Sequence, residues 1–124
     1  YSIAVGDFNK DHFLDVTVAN HGAKTIGIFL NARNGSFNEP IVMSIDPASP
    51  YAVGVYDMNS DGRLDIVVTN QGANNTGIFL GLGNGTFLPV KMHSTDSSSS
   101  ISFAVGDVNN DHYLDLVVVS NDTG

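Results

Sequence analysis

A nine-residue word returns at a fixed interval. DFNKDHFLD fills 7–15, DMNSDGRLD fills 57–65 and DVNNDHYLD fills 107–115, a step of 50 each time. Aligning 1–50 with 51–100 extends the match to about 20 of 50 positions, including GIFL at 27–30 and 77–80 and NGSF/NGTF at 34–37 and 84–87. Self-similarity at this period marks a tandem array, in which each unit buries its faces against its neighbours. The chain divides into repeat 1 at 1–50, repeat 2 at 51–100 and half of repeat 3 at 101–124.

Each copy reads as β. SIAVGD (2–7), LDVTVAN (14–20), TIGIFL (25–30) and PIVMSI (40–45) are short and rich in β-branched and aromatic residues. In LDVTVAN, Leu14, Val16 and Val18 share one face, and Asp15, Thr17 and Ala19 the other. The third copy, LDLVVVS (114–120), is almost continuously apolar, as suits a strand covered on both sides. Asn-Gly at 34–35 and 84–85 signals hairpins, since both residues tolerate positive φ. A further turn falls at 20–24 and 70–75. SPY near 49 and the serines at 97–100 read as links, and no window has helical periodicity. Four antiparallel strands every 50 residues is the layout of a β-propeller blade. The expected fold is all-β: about two and a half four-stranded blades, part of a larger propeller or completed by oligomerisation. A β-sandwich is the rival, but it would not require the strict repeat.

Charge bears on the same word. The net charge is −8, from 13 acids against 5 bases. Nucleic acid and anionic membranes are poor partners for such a chain, and no apolar run is long enough for a spanning helix. Nine of the 13 acids sit in the three nonamers: Asp7, Asp11, Asp15, Asp57, Asp61, Asp65, Asp107, Asp111 and Asp115. Concentrated like this they repel one another, and a cation resolves the repulsion. The word D-x-N-x-D-[G/H]-x-x-D carries side-chain oxygens at positions 1, 3, 5 and 9. On a tightly curled loop these converge, with room for a backbone carbonyl at position 7. All-oxygen sets suit calcium, which takes six to eight ligands; magnesium prefers more water and fits less well. Three calcium ions would bring the charge from −8 to about −2. Position 6 calls for positive φ, natural for Gly62 and harder for His12 and His112. The 57–65 loop is therefore expected to be the least strained.

An EF-hand begins similarly but needs a Glu at loop position 12 and flanking helices. Here position 12 is Val18, Val68 and Val118. A metal-free Asx-rich turn is the plainer reading of any single copy. There is no Cys, hence no disulfide or thiolate site. A hydrolytic triad has no support, because His21 and His93 each occur in one copy only. Paired carboxylates can mark a glycosidase, but three equal active sites would be unusual. Sequons occur at Asn34, Asn74, Asn84 and Asn121. Tyr1 reads as the edge of a mature, processed or excised piece.

The D-x-N-x-D-G-x-x-D loop leading into a Leu-Asp strand resembles the FG-GAP or VCBS-type repeat of integrin α-subunit propellers and many secreted proteins. Gly35-Ser36-Phe37 and Gly85-Thr86-Phe87 echo the Phe-Gly word, and the overall fit is better to the VCBS-like branch. The resemblance implies side-chain ligands Asp7, Asn9, Asp11 and Asp15; Asp57, Asn59, Asp61 and Asp65; Asp107, Asn109, Asp111 and Asp115. It places the carbonyls of Phe13, Arg63 and Tyr113 at position 7. It further implies structural calcium at three sites and a non-enzymatic, extracellular or cell-surface module for adhesion or protein–protein interaction. The alternative is a glycan-binding propeller, with Tyr1, Tyr51, Tyr56 and Tyr113 as aromatic platforms in a chain without Trp. Self-association or a longer array is expected, since two and a half blades leave apolar faces bare.

Overall fold

The computed structural model describes residues 2–46, 48–71, 75–94 and 100–120. Ten strands form three antiparallel sheets, with no helix among the described residues. The first sheet runs in the order β1 (Ser2–Gly6), β2 (Asp15–Asn20), β3 (Thr25–Phe29), β4 (Ile41–Ser44). The second repeats it with β5 (Ser49–Tyr56), β6 (Asp65–Gln71), β7 (Asn75–Phe79) and β8 (Lys91–Ser94); the third pairs β9 (Ser100–Gly106) with β10 (Asp115–Ser120). These are the propeller-like blades the repeat calls for. Register is conserved between copies: Val5 faces Val16, Val55 faces Ile66 and Val105 faces Leu116.

Sequential neighbours pair because the connections are short. The β2–β3 turn at His21–Lys24 closes with the Lys24 amide donating to the His21 carbonyl at 3.3 Å. Two links differ from expectation. Ser49–Tyr51 lies inside β5, and Ser100 opens β9. Pro50 has no amide hydrogen for the ladder, and the β5–β6 register shifts between Pro50 and Ala52. Tyr1, Asn74, Asn121 and Ser97–Ser99 lie outside the described residues.

The core lies between blades. Ala19, Ile26 and Ile28 of the first sheet, fully buried, pack with Val53, Ile66, Val68 and Phe79 of the second. Thus Thr17 and Ala19 lie on the buried face of β2, while Leu14 is 60% exposed. Glycines bring the sheets close: a Cβ on Gly6 would stand 2.8 Å from Val55, and one on Gly54 would stand 2.7 Å from the Phe103 ring. The strand covered on both faces is β6, buried from Asp65 to Asn70. For β10 that expectation is corrected: Val117 and Val119 are exposed, because no sheet among the described residues covers their side. Ile3 and Val5 are bare on the opposite flank.

Candidate metal centre

Each nonamer is the loop of a blade's first hairpin, between β1 and β2, β5 and β6, or β9 and β10. Curling the chain this tightly takes two left-handed residues per loop. They are Lys10 (φ 58) and His12 (φ 69), Ser60 (57) and Gly62 (78), and Asn110 (60) and His112 (68). Position 6 is left-handed in all three, as the turn requires. Position 4 is too, and residue type gave no sign of it at Lys10 or Ser60. The 57–65 loop holds one non-glycine residue in this region, the other loops two.

The aspartates organise the backbone. The Asp7 carboxylate accepts from the amides of Asp11 (3.1 Å) and His12 (2.8 Å). Asp57 does the same for Asp61 and Gly62, and Asp107 for Asp111 and His112. At position 5, Asp11, Asp61 and Asp111 accept from the amides of Phe13, Arg63 and Tyr113 at 2.9–3.0 Å. Those amides hold all three carboxyls below the usual aspartate range. Position 9 is the deep residue. Asp15 and Asp65 are fully buried. Asp15 accepts from the amides of Phe8 (2.8 Å) and Asn31 (2.8 Å), and Asp65 from those of Met58 (2.9 Å) and Gly81 (2.8 Å). Burial raises the Asp65 carboxyl against the pull of the Gly81 and Met58 amides. Asp15 and Asp65 therefore tie their loops to the end of the blade's third strand, while Asp115 accepts from the Val108 amide at 3.0 Å within its own loop.

Two observations test whether these residues fit a hard cation. In the third loop, carboxylate oxygens of Asp107, Asp111 and Asp115 lie within 4.8 Å of one another, the one such convergence among the described residues. In the first, the Asn9 Oδ1 is buried without a hydrogen-bond partner. A buried carbonyl oxygen left unpaired costs free energy unless something positive meets it. The donor set is all oxygen, which is calcium chemistry. Asp7, Asn9, Asp11 and Asp15 share one loop, as do their counterparts in the other copies, and Phe13, Arg63 and Tyr113 stand at position 7 of each.

Comparison with known families decides the membership. The FG-GAP-like repeat family model matches residues 7–68 and again 57–118, each match running from one nonamer through the next. The chain belongs to the FG-GAP-like repeat family. Neither the comparison with curated proteins nor that with solved structures found a match. As an FG-GAP-type chain it is a propeller-like repeat module, with each loop joining the first two strands of its sheet. No helix among the described residues is long and apolar enough to cross a membrane.

Position 2 of the loop carries a contact that its residue type alone does not announce. Phe8 is 2% exposed and meets Phe87 of the next blade edge-on, with ring centroids 5.4 Å apart. The Phe8 carbonyl accepts from the Gly85 amide at 3.0 Å. The first loop therefore rests on the Asn-Gly hairpin of the second blade. Met58 is half-buried, and Val108, with no such hairpin over it among the described residues, is 71% exposed. The signal was an apolar residue after the first aspartate in every copy.

Proposed function

We propose that the three loops bind calcium and that the ions are structural, making this a non-enzymatic, calcium-stabilised propeller module of the extracellular space or cell surface that serves adhesion or protein–protein interaction. The observation that carries this is the convergence of Asp107, Asp111 and Asp115 within 4.8 Å. Ionised carboxylates at that spacing repel one another, and a divalent cation turns the repulsion into ligation. The ligands are the side chains at positions 1, 3, 5 and 9 and the carbonyl at position 7. The ion would cross-link a loop whose backbone the same aspartates already curl. Binding only the folded loop, it stabilises by RT ln(1 + [Ca]/Kd) per site. Titration calorimetry on the chelator-stripped chain tests this. Heat saturable by calcium, abolished by Asp107→Ala and Asp111→Ala at the third loop's share, supports it; a flat titration of the wild type refutes it.

The bare flanks fit a second copy of the chain. Val117 and Val119 correspond in the repeat to Val67 and Thr69, which lie on the buried strand facing the third sheet. Ile3 and Val5 correspond to Val53 and Val55, which pack on the first sheet. The β1 face of one copy therefore has the side-chain pattern that the β10 face of another receives. Light scattering in calcium reads the outcome: self-association supports the pairing, and a 13.1 kDa monomer at all concentrations counts against it.

A further inference from the structure

We propose that Arg33 is a built-in competitor for the cation of the first loop, so that the three loops do not fill as equals and the first fills last. The proposal rests on the calcium reading above. Arg33 belongs to the Asn-Gly hairpin of the first blade. Its Nε donates to Asp11 Oδ2 at 3.1 Å, while Asp11 Oδ1 accepts from the Phe13 amide at 2.9 Å. Both oxygens of the position-5 ligand are thus engaged, one of them by a full positive charge. The Asp11 side chain is only 7% exposed beneath it. The guanidinium also lies over the Phe13 ring, 5.6 Å from its centroid, which is cation–π range.

The hairpin backbone is shaped to deliver this side chain. Arg33 sits at φ +65, in the left-handed region that side chains rarely adopt. Asn31 holds it there. The Asn31 Oδ1 accepts from the Arg33 amide at 2.8 Å, its Nδ2 donates to the Leu14 carbonyl at 3.1 Å, and its own amide donates to Asp15 at 2.8 Å. In the second blade the corresponding residues are Gly81 and Gly83, with Gly83 at φ +80. Only the amide-to-Asp65 bond of that clamp has its counterpart there. A non-glycine residue held in this region beside a ligand is a reason to look for function. The carboxylates converge at Asp107, Asp111 and Asp115, but in neither the first loop, where Arg33 is paired to Asp11, nor the second, where no ion pair is formed among the described residues.

A calcium ion entering the first loop must displace the guanidinium from Asp11 or accept it a few ångströms away. With an exposed arginine and water-like screening, the repulsion is worth roughly tenfold in affinity. The first loop then responds at higher calcium than its neighbours, and the module tightens in two stages.

The test is a calcium titration of the isotope-labelled, chelator-stripped chain, following the backbone amides of His12, Gly62 and His112 by NMR. One amide reports each loop. The wild type is compared with Arg33→Gly, which copies Gly83 and suits the backbone, and with Arg33→Gln, which keeps bulk without charge. The expected result is a His12 midpoint about tenfold above those of Gly62 and His112. Both variants should bring it to within about threefold, leaving the other two midpoints unmoved. The proposal is overturned if His12 saturates together with the others in the wild type. It is equally overturned if the gap persists in both variants. A titration in which no amide of any loop moves overturns the calcium reading itself, a separately recognisable outcome.

Discussion

Replacing Asp65 by Ala should destabilise the chain even with all calcium removed. Asp65 is fully buried and accepts two backbone amides, from Met58 at 2.9 Å and Gly81 at 2.8 Å. Hydrogen bonds to a charged acceptor contribute about 1.5–3 kcal/mol each, so the pair is worth roughly 3–6 kcal/mol. Against this stands the cost of burying the carboxylate, visible in its raised pKa. The net loss on truncation is about 3 kcal/mol, with two amides left unpaired. Urea unfolding in excess chelator is the assay. With a slope of roughly 2 kcal/mol per molar, the midpoint should fall by about 1.5 M. Asp65→Asn, which keeps one acceptor oxygen, should fall less. An Asp65→Ala midpoint unchanged in chelator would refute the view that position 9 braces the backbone as well as serving as a ligand.

Four further outcomes follow from the same geometry. Thr17→Val, copying Val67, should stabilise by about 1 kcal/mol, because the Thr17 hydroxyl is buried without a partner; thermal melting reads it. Gly81→Ala should destabilise by about 1–3 kcal/mol, since a methyl there would overlap the Leu64 carbonyl oxygen, backbone that cannot step aside. His12→Gly should stabilise by about 1 kcal/mol by relieving a left-handed histidine, measured in chelator. In chelator, stability should also fall as pH drops below 3.8. Asp11, Asp61 and Asp111 titrate lower folded than unfolded, so their contribution is present above 3.8 and lost as pH falls through the folded value. Asp65, shifted upward, works in the opposite sense. Stability that stays level or rises as pH drops below 3.8 would contradict the assignment.

The strands and loops were legible because the repeat states them more than once. Gly62 alone revealed the left-handed turn that His12 and His112 also make. What stayed hidden depends on neighbours that no local pattern encodes. In β2 the alternation separates two faces without saying which meets the next blade, and the structure buries Thr17 and Ala19. Pro50 reads as a breaker, yet a register shift accommodates it within β5. LDLVVVS looks like a strand covered twice, but coverage belongs to the adjacent sheet, which among the described residues β6 has on both sides and β10 does not. Arg33 and Phe8 act on the loops from a distance in sequence or across a blade boundary. Only the fold reveals that the Asn-Gly hairpins reach them.

The most direct test of the account is thermal melting of the chain in millimolar calcium and in excess chelator. At a hundredfold excess over Kd, one site adds about 2.7 kcal/mol, and a domain of this size converts that to roughly 10 °C. The melting temperature should be higher in calcium by at least that amount, reversed by chelator and not reproduced by magnesium at the same concentration. Coincident melting curves in calcium and chelator would contradict it.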